Sequence, residues 1–443
     1  MNDWHDAERR FERALEFAQR RQWPQALEEM RMATSINPFN AAWFFNLGLV
    51  LDEMGRFDEA IGAFRRAARI EPNNLAVQER LGIDLHRTQC QRQALETFAH
   101  ITQADPAYEA AYCHRILIHA ELGEHQQAEE MFYLARLYKE HCPRCYDYMG
   151  RSLAARKRYD RAIYCFQKCL DLEPAWRGGA ARLARALWDK GDFEQARRQY
   201  LAELRLDPGS TSALLDLGDL LMEMGRPDEA GEKYRRCIEL APAQAQGYFR
   251  HGRWLSRRHH LDEAQAAFEQ ALKLDPALCG AHLELARLAF RRGDRVATRR
   301  HLRAMHLRHT RDGAILLAMA NLWMDCGQDR TAMACLKRLI SMQPNNADAW
   351  LNLAVAQFRR GNYEQGIQSC RRTLTIDRNN RLAMYNLALA HDRLRQPQAA
   401  LQWARQAQRL DPRDSSVQRL ELRLRVIAWF SSILAGFVGG KRT

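Results

Sequence analysis

The sequence lacks three features that would place it among membrane, secreted or linker-joined proteins. No apolar run reaches the ~20 residues that a membrane-spanning helix needs; the uncharged segment 426–440 has only fifteen residues. No stretch rich in serine, glycine or proline is long enough to be a linker. The first residues contain no apolar segment typical of a secretory leader. These absences favour one continuous folded region and a cytoplasmic location.

Lysine is scarce in an otherwise basic chain. Of the 67 basic residues, 8 are lysine and 59 are arginine, against 54 acidic residues, and the net charge is +13. The planar arginine side chain binds carboxylates and phosphates through paired hydrogen bonds. The 11 cysteines are an odd number scattered along the chain, which favours a reducing compartment over a disulfide framework.

Proline is also scarce, but its spacing is regular. Nine of the 13 prolines are separated by 34 residues or twice 34: Pro38, Pro72, Pro106, Pro174, Pro208, Pro242, Pro276, Pro344 and Pro412. Glu140, Thr310 and Arg378 occupy the three remaining positions of this series. Because proline removes a backbone donor and restricts the residue before it, it ends helices. The spacing therefore predicts twelve helical repeats of constant length.

The repeat boundaries follow when this proline is placed at position 32 of each repeat. A lead-in of residues 1–6 then precedes twelve repeats, 7–40, 41–74, 75–108, 109–142, 143–176, 177–210, 211–244, 245–278, 279–312, 313–346, 347–380 and 381–414. Residues 415–430, starting at Ser415 or Ser416, are predicted to form a helix that covers the last apolar face. Residues 431–443 form an apolar and basic tail.

Three further positions align across the repeats. Position 20 is small in every repeat, being alanine except at Thr298 and Gly366. Position 24 is bulky in most repeats, as at Phe64, Phe98, Phe132, Phe166, Tyr200, Tyr234 and Phe268. Position 15 carries Gly55, Gly123, Gly191, Gly225, Gly293, Gly327 and Gly361, which predicts a left-handed residue closing a first helix.

These columns resemble those of the tetratricopeptide-repeat family. Repeat 2 shows the pattern most fully, with Phe44, Leu47, Gly48, Leu51, Ala60, Phe64, Ala67 and Pro72. The resemblance implies an all-α, right-handed α-solenoid, a superhelix of twelve helix-turn-helix repeats. It also implies that the first helix of each repeat lines a concave groove, mainly through positions 2, 5, 6, 9, 12 and 13.

Arginines are concentrated in the middle of this predicted groove. Position 9 reads Arg151, Arg185, Asp219, Arg253 and Arg287 in consecutive repeats, while Arg250 at position 6 and Arg257 and Arg291 at position 13 add further positive charge. Side chains three, four or seven residues apart share one face of a helix. This surplus favours an acidic peptide or a carboxylate terminus, although Asp219 and other acids could neutralise neighbouring arginines, with little gain in stability.

Asparagines occur at position 6 near both ends of the array, at Asn46, Asn352 and Asn386. An amide donates and accepts hydrogen bonds at once, and so suits the backbone of an extended peptide. These positions resemble the peptide-binding asparagines of carboxylate-clamp and glycosyltransferase repeat domains. The lysines that accompany them in the clamp are missing.

Other ligand classes are less favoured. Acidic residues slightly outnumber arginines over all the groove positions, and the 34-residue period differs from the 35-residue repeats that read RNA, so nucleic acid is not the expected partner.

Cys142 and Cys145 form a CxxC, and Cys165 and Cys169 follow. Without a second CxxC, packing is the favoured interpretation of these thiols. We expect no catalytic residues, no metal and no cofactor.

The tail offers one further candidate contact. Trp429, Phe430 and Phe437 lie in the uncharged segment, between Arg423 and Arg425 on one side and Lys441 and Arg442 on the other. Aromatic residues with basic flanks suit a membrane surface. The favoured interpretation is nevertheless an end cap, with membrane-surface or partner contact as the alternatives.

The sequence as a whole predicts a non-enzymatic scaffold or adaptor that binds an extended or acidic peptide of a partner protein. One alternative is a subunit that recruits substrates for a separate enzyme, such as a glycosyltransferase. Another is a homo-oligomer in which the repeat arrays stack into filaments.

Overall fold

The computed structural model describes residues 2–139, 141–305, 310 and 312–439, with side chains from Trp4 to Ile427 within those ranges. This described backbone contains 25 α-helices and no strand. The chain divides into two compact units, Met1–Ala230 and Gly231–Thr443, called here the N-terminal and C-terminal units. Each is described by itself.

The helices form one pair per repeat. In the N-terminal unit they are α1 Asn2–Gln19, α2 Trp23–Ile36, α3 Ala41–Glu53, α4 Phe57–Ile70, α5 Leu75–Arg87, α6 Gln91–Ala104, α7 Glu109–Glu121, α8 His125–Tyr138, α9 Pro143–Ala155, α10 Tyr159–Leu172, α11 Gly179–Lys190, α12 Phe193–Leu206 and α13 Thr211–Glu223. Helix α14, Pro227–Leu240, contains the boundary between the units. Odd-numbered helices up to α13 are the first helices of their repeats.

The C-terminal unit continues the alternation. Its helices are α15 Ala245–Arg257, α16 Leu261–Leu274, α17 Cys279–Arg291, α18 Arg295–Ala304, α19 Gly313–Asp325, α20 Asp329–Met342, α21 Ala347–Arg359, α22 Tyr363–Ile376, α23 Arg381–Arg393, α24 Pro397–Leu410 and α25 Ser415–Gly439. Helices α15 to α23 with odd numbers are first helices. The prediction of an all-α solenoid of twelve helix pairs followed by a capping helix is confirmed.

The helix ends follow from residues at fixed repeat positions. The residue before several first helices is an asparagine whose side chain accepts a hydrogen bond from the backbone N–H three residues later. Asn40 accepts from Trp43 N at 3.2 Å, and Asn346 accepts from Ala349 N at 3.0 Å. Such caps satisfy donors that have no partner within the helix. At the other end, all seven position-15 glycines have the predicted positive φ.

The same backbone conformation occurs at position 15 without glycine. Arg21, Gln89, Lys157, His259 and Arg395 have φ between 54° and 65°. Each is the position-15 residue of its repeat, so every repeat turns from its first to its second helix through a left-handed residue. The constant length of the turn imposes this conformation even where the side chain does not favour it.

The core lies between the two helices of each repeat and the helix that follows. The position-20 alanines are fully buried, as at Ala60, Ala94 and Ala264. The position-24 rings pack against position 8, so a Cβ added at Gly48 would lie 2.4 Å from the Phe64 ring. Because the ring fills this space, a small residue at position 8 accompanies a large residue at position 24.

Helix α25 packs its first half against the last repeat. The Asp414 carboxylate accepts a hydrogen bond from Ser416 N at 2.8 Å and thereby caps the helix. Val417, Leu420 and Leu424 are buried against α23 and α24. The helix continues beyond residue 430, the predicted end of the cap, to Gly439, because no proline interrupts the segment.

Candidate protein-binding face of the first helices

Successive first helices contact one another along much of each unit. In the N-terminal unit α5 contacts α7, α7 contacts α9, and α9 contacts α11; in the C-terminal unit the same holds along α15, α17, α19, α21 and α23. The side chains at positions 2, 5, 6, 9, 12 and 13 of the first helices of each unit form what we call the first-helix face. It is the surface on which the candidate residues lie.

In the N-terminal unit, intramolecular contacts engage the candidate residues. The Asn46 side chain donates to the Ala42 carbonyl of its own helix at 2.7 Å. The Arg151 guanidinium lies over the Tyr148 ring, 5.6 Å from its centroid. Arg185 donates to Asp189 at 3.1 Å and stacks 4.7 Å from the Trp188 ring. The neutralisation expected for Arg185 thus comes from its own helix.

Positions 12 and 13 join neighbouring first helices to each other. Arg87 forms an ion pair with Asp52, His86 shares a hydrogen bond with Glu121 at 2.7 Å, and Trp188 donates to Glu223 at 2.7 Å. All three pairs are separated by 35 residues. This spacing connects position 12 of one repeat with position 13 of the next, so complementary residues 35 apart are the sequence signal for these contacts.

The C-terminal unit carries the largest positive excess of the face. Helix α15 has Arg250, Arg253 and Arg257 and no acidic residue. Arg250 and Arg253 are half-buried and Arg257 is exposed. The Arg253 guanidinium lies 5.9 Å from the centroid of the Phe249 ring, which holds its aliphatic stem against the helix surface.

Helix α17 adds two arginines with different surroundings. Arg287 donates to Glu284 of its own helix at 2.8 Å. Arg291 is exposed at the end of the helix. In the part of the chain that the structure describes, neither Arg257 nor Arg291 has a hydrogen bond or an ion pair. These two guanidinium groups therefore retain their full donor capacity for a ligand.

The two C-terminal asparagines differ in their surroundings. Asn352 donates to Asn321 of the preceding first helix at 3.0 Å. Asn386 lines an open pocket of about 390 Å³ together with Phe358, Tyr363 and Leu389. Its lining combines these apolar and aromatic side chains with the Asn386 amide and with Arg359 and Arg393, which suits a side chain and the adjoining backbone of an extended peptide.

The candidate tail residues lie outside the side chains that the structure describes. Trp429, Phe430 and Phe437 fall within the helical range of α25, but only its backbone is described there. Just before them, Val426 and Ile427 are 50% and 41% exposed. Among the helices that the structure describes, none combines the length and the apolar character needed to cross a bilayer.

The repeats match known family models. The tetratricopeptide-repeat model matches residues 11–74, 181–245, 249–297, 317–381 and 375–415, together more than half of the chain. A second tetratricopeptide-repeat model matches residues 143–176. Stacked helix pairs that carry a first-helix face in each unit define a solenoid of the protein-interaction class. The chain belongs to the tetratricopeptide-repeat family.

Comparisons with individual proteins are more distant. No curated protein sequence matches the chain. The solved Cut9–Hcn1 hetero-tetramer of the APC/C contains a chain 13% identical to this one, with a TM-score of 0.44 over 93% of this chain and 95% of that chain. Yeast Tom70 is 14% identical, with a TM-score of 0.43 over 97% of this chain and 96% of that chain. At this level of similarity neither relationship bears on function.

Proposed function

We propose that this protein is a scaffold that binds an extended, acidic segment of a partner protein on the first-helix face of its C-terminal unit. The observation that carries the proposal is the arginine cluster of α15 and α17, named here the arginine face: Arg250, Arg253, Arg257, Arg287 and Arg291. No other repeat places three arginines and no acid in the groove columns.

The charge of the arginine face favours carboxylates over a neutral ligand. Arg257 and Arg291 have no carboxylate partner among the described residues, and α15 supplies none of its own. Hydrogen bonds between guanidinium and carboxylate groups contribute about 1.5 to 3 kcal/mol each when they are formed away from bulk water. A neutral segment would cover these charges without pairing them, which costs free energy.

The arrangement of the face favours an extended segment. The Asn386 pocket lies on α23, four repeats after α15. Equivalent helices pack roughly 10 Å apart, so the two sites are separated by about 40 Å. An extended peptide covers ~3.4 Å per residue, and a segment of about twelve residues would reach from one to the other.

Charge reversal tests the proposal. We expect the fourfold variant Arg253→Glu, Arg257→Glu, Arg287→Glu and Arg291→Glu to weaken binding of a fluorescent twelve-residue peptide of alternating Glu and Ala by at least about tenfold, a loss of roughly 1.4 kcal/mol. Fluorescence anisotropy measures the affinity. Binding to the wild type should weaken steeply with added salt, because the pairs are partly exposed.

A matched control separates the site from the net charge. Arg371, Arg372, Arg378 and Arg409 are exposed residues of the same unit outside the first helices. Their fourfold change to Glu gives the same net charge and should leave peptide affinity within about twofold. Equal weakening by both variants would show that the peptide responds only to overall charge and would refute the arginine face as the site.

A further inference from the structure

Three buried cysteine thiols meet between repeats 4 and 5. The Sγ of Cys113 lies 3.0 Å from the Sγ of Cys145 and 3.4 Å from the Sγ of Cys142. All three thiols are free, and all three residues are at most 2% exposed. In the described part of the chain no other three histidine, cysteine or acidic side chains gather so closely.

The cluster is assembled by two first helices that pack together. Cys113 lies on α7, Cys145 lies in the first turn of α9, and Cys142 is the residue that caps α9. The Cys142 Sγ accepts a hydrogen bond from the Cys145 backbone N at 3.1 Å. Pro143 follows at the first helical position and fixes the backbone between the two cysteines of the CxxC.

The first turn of α7 carries a carboxylate near the thiols, that of Glu109. Burial, together with the neighbouring Cys142 thiol, raises the pKa of the Glu109 carboxylate, which forms an ion pair with Lys139. Cys142 also lies at the N-terminus of α9, where the unpaired backbone N–H groups carry partial positive charge. The N-terminus of α9 and the Lys139 ammonium offset part of the negative charge of a thiolate site, which would otherwise be costly to bury.

We propose that Cys113, Cys142 and Cys145 bind a zinc ion, with the Glu109 carboxylate turning from Lys139 to become the fourth ligand. Three sulfurs and one oxygen form a closed tetrahedral site of the structural type. Zinc–sulfur bonds of about 2.3 Å place tetrahedral sulfur ligands ~3.8 Å apart. The observed separations therefore require the sulfurs to move outward by less than about 1 Å, which side-chain rotation supplies.

The position of the cluster indicates what the ion does. Proline ends the second helix in nine repeats, but repeat 4 has Glu140 at that position. A zinc ion would tie the start of α9 to α7 at this junction. This cross-link would take the place of the proline that ends the second helix in other repeats. Cys165 and Cys169, one helical turn apart in repeat 5, are also buried but do not belong to the cluster; they serve as matched controls.

Metal content of the full-length protein tests the proposal. We expect one zinc ion per chain in wild-type protein purified under a phosphine reductant and measured by inductively coupled plasma mass spectrometry. The double variant Cys142→Ser and Cys145→Ser should lose the ion, whereas Cys165→Ser with Cys169→Ser should retain it. Circular dichroism checks that both variants keep their helices, since a misfolded variant would lose metal for a trivial reason.

Cobalt substitution of the wild type gives a test that needs no variant. After chelation, added Co²⁺ should bind at one equivalent and produce an intense thiolate-to-metal absorption with the visible bands of tetrahedral cobalt. Glu109→Gln should change the visible bands while keeping the thiolate absorption. Absence of the thiolate absorption in the folded wild type, or a disulfide among the three cysteines in reductant-free protein without bound metal, would overturn the proposal.

Discussion

At the scale of single residues, Asp84 is the most unusual charged group of the N-terminal unit. It is completely buried on α5, and one carboxylate oxygen accepts from Arg87 at 3.2 Å. Burial, together with the nearby Asp52 carboxylate on α3, raises the pKa of Asp84 to about 6, and Arg87 and Arg80 only partly oppose the shift. The protein therefore retains a buried acid that ionises just below neutral pH.

The pKa of Asp84 predicts a pH-dependent stability. An aspartate in the unfolded chain ionises near pH ~4, so between about pH 4 and about pH 6 the folded protein binds more protons than the unfolded chain. Stability should fall as pH rises through this range. We expect Asp84→Asn to raise the free energy of unfolding at about pH 7 by on the order of 2 kcal/mol and to have little effect near pH ~4.5.

Urea denaturation at the two pH values measures this difference. Asp58 is exposed on α4, and Asp58→Asn serves as the control that should change neither value. If Asp84→Asn destabilises the protein more at neutral than at acid pH, the Arg87 ion pair outweighs the burial of the charge and the argument from burial is wrong.

At the scale of the helix pair, two glycines of repeat 2 allow the effect of close packing on stability to be compared with the effect of helix propensity. A Cβ at Gly48 on α3 would lie 2.4 Å from the buried Phe64 ring, whereas a Cβ at Gly62 on α4 would meet no atom within 4 Å. We expect Gly48→Ala to destabilise the protein by about 1 to 3 kcal/mol through overpacking. Gly62→Ala should stabilise it by roughly 0.5 to 1 kcal/mol.

Thermal and denaturant unfolding of the two variants distinguish these effects. Phe64→Leu combined with Gly48→Ala should recover part of the lost stability, because the smaller side chain leaves room for the methyl group. Equal and small effects of both glycine changes would mean that the helices of this repeat are not held in close contact.

The helix pairs also show how far sequence reasoning extends. A period of 34 residues was sufficient to predict the helix pairs and the glycine turns, because each repeat must place the same atoms in the same contacts. The period did not predict the left-handed backbone of the five position-15 residues that are not glycine, such as Lys157 and His259. Their conformation comes from the length of the turn and not from their side chains. Nor did it join Cys113 to the CxxC, because the contact between α7 and α9 spans a repeat boundary.

For the candidate binding residues too, the sequence predicts the helix on which each one lies but not the contacts of its side chain. Their placement on first helices follows from the period, and the exposed Arg257 and Arg291 lie where the columns place them. The partners of individual side chains depend on rotamers and neighbouring helices, which the columns do not specify. Thus Asn352 contacts Asn321, and Arg185 contacts Asp189, within the protein itself.

At the scale of the whole molecule, each helix contacts mainly the helices next to it in the chain. Helix α23 packs on α22 and α24, and α25 packs on α24. In such an array stability is approximately the sum of the repeats and of the contacts between neighbours. A local change should therefore be felt near its own position and fade along the chain.

The capping helix provides the test of this behaviour. Leu424 of α25 is fully buried in a cluster with Ala388, Ala404 and Leu420. We expect Leu424→Ala to cost about 2 to 5 kcal/mol of local stability and to speed amide hydrogen exchange in α23, α24 and α25. Exchange in α3 to α6 should remain unchanged, because those helices depend on their own neighbours.

Hydrogen exchange with mass spectrometry resolves these regions in a single experiment. Leu422 lies on the same helix but is 65% exposed, so Leu422→Ala should leave exchange unchanged throughout and controls for altered helix propensity. If Leu424→Ala accelerates exchange equally in α3 and in α24, the chain unfolds as one cooperative unit, and the additive description of its repeats fails.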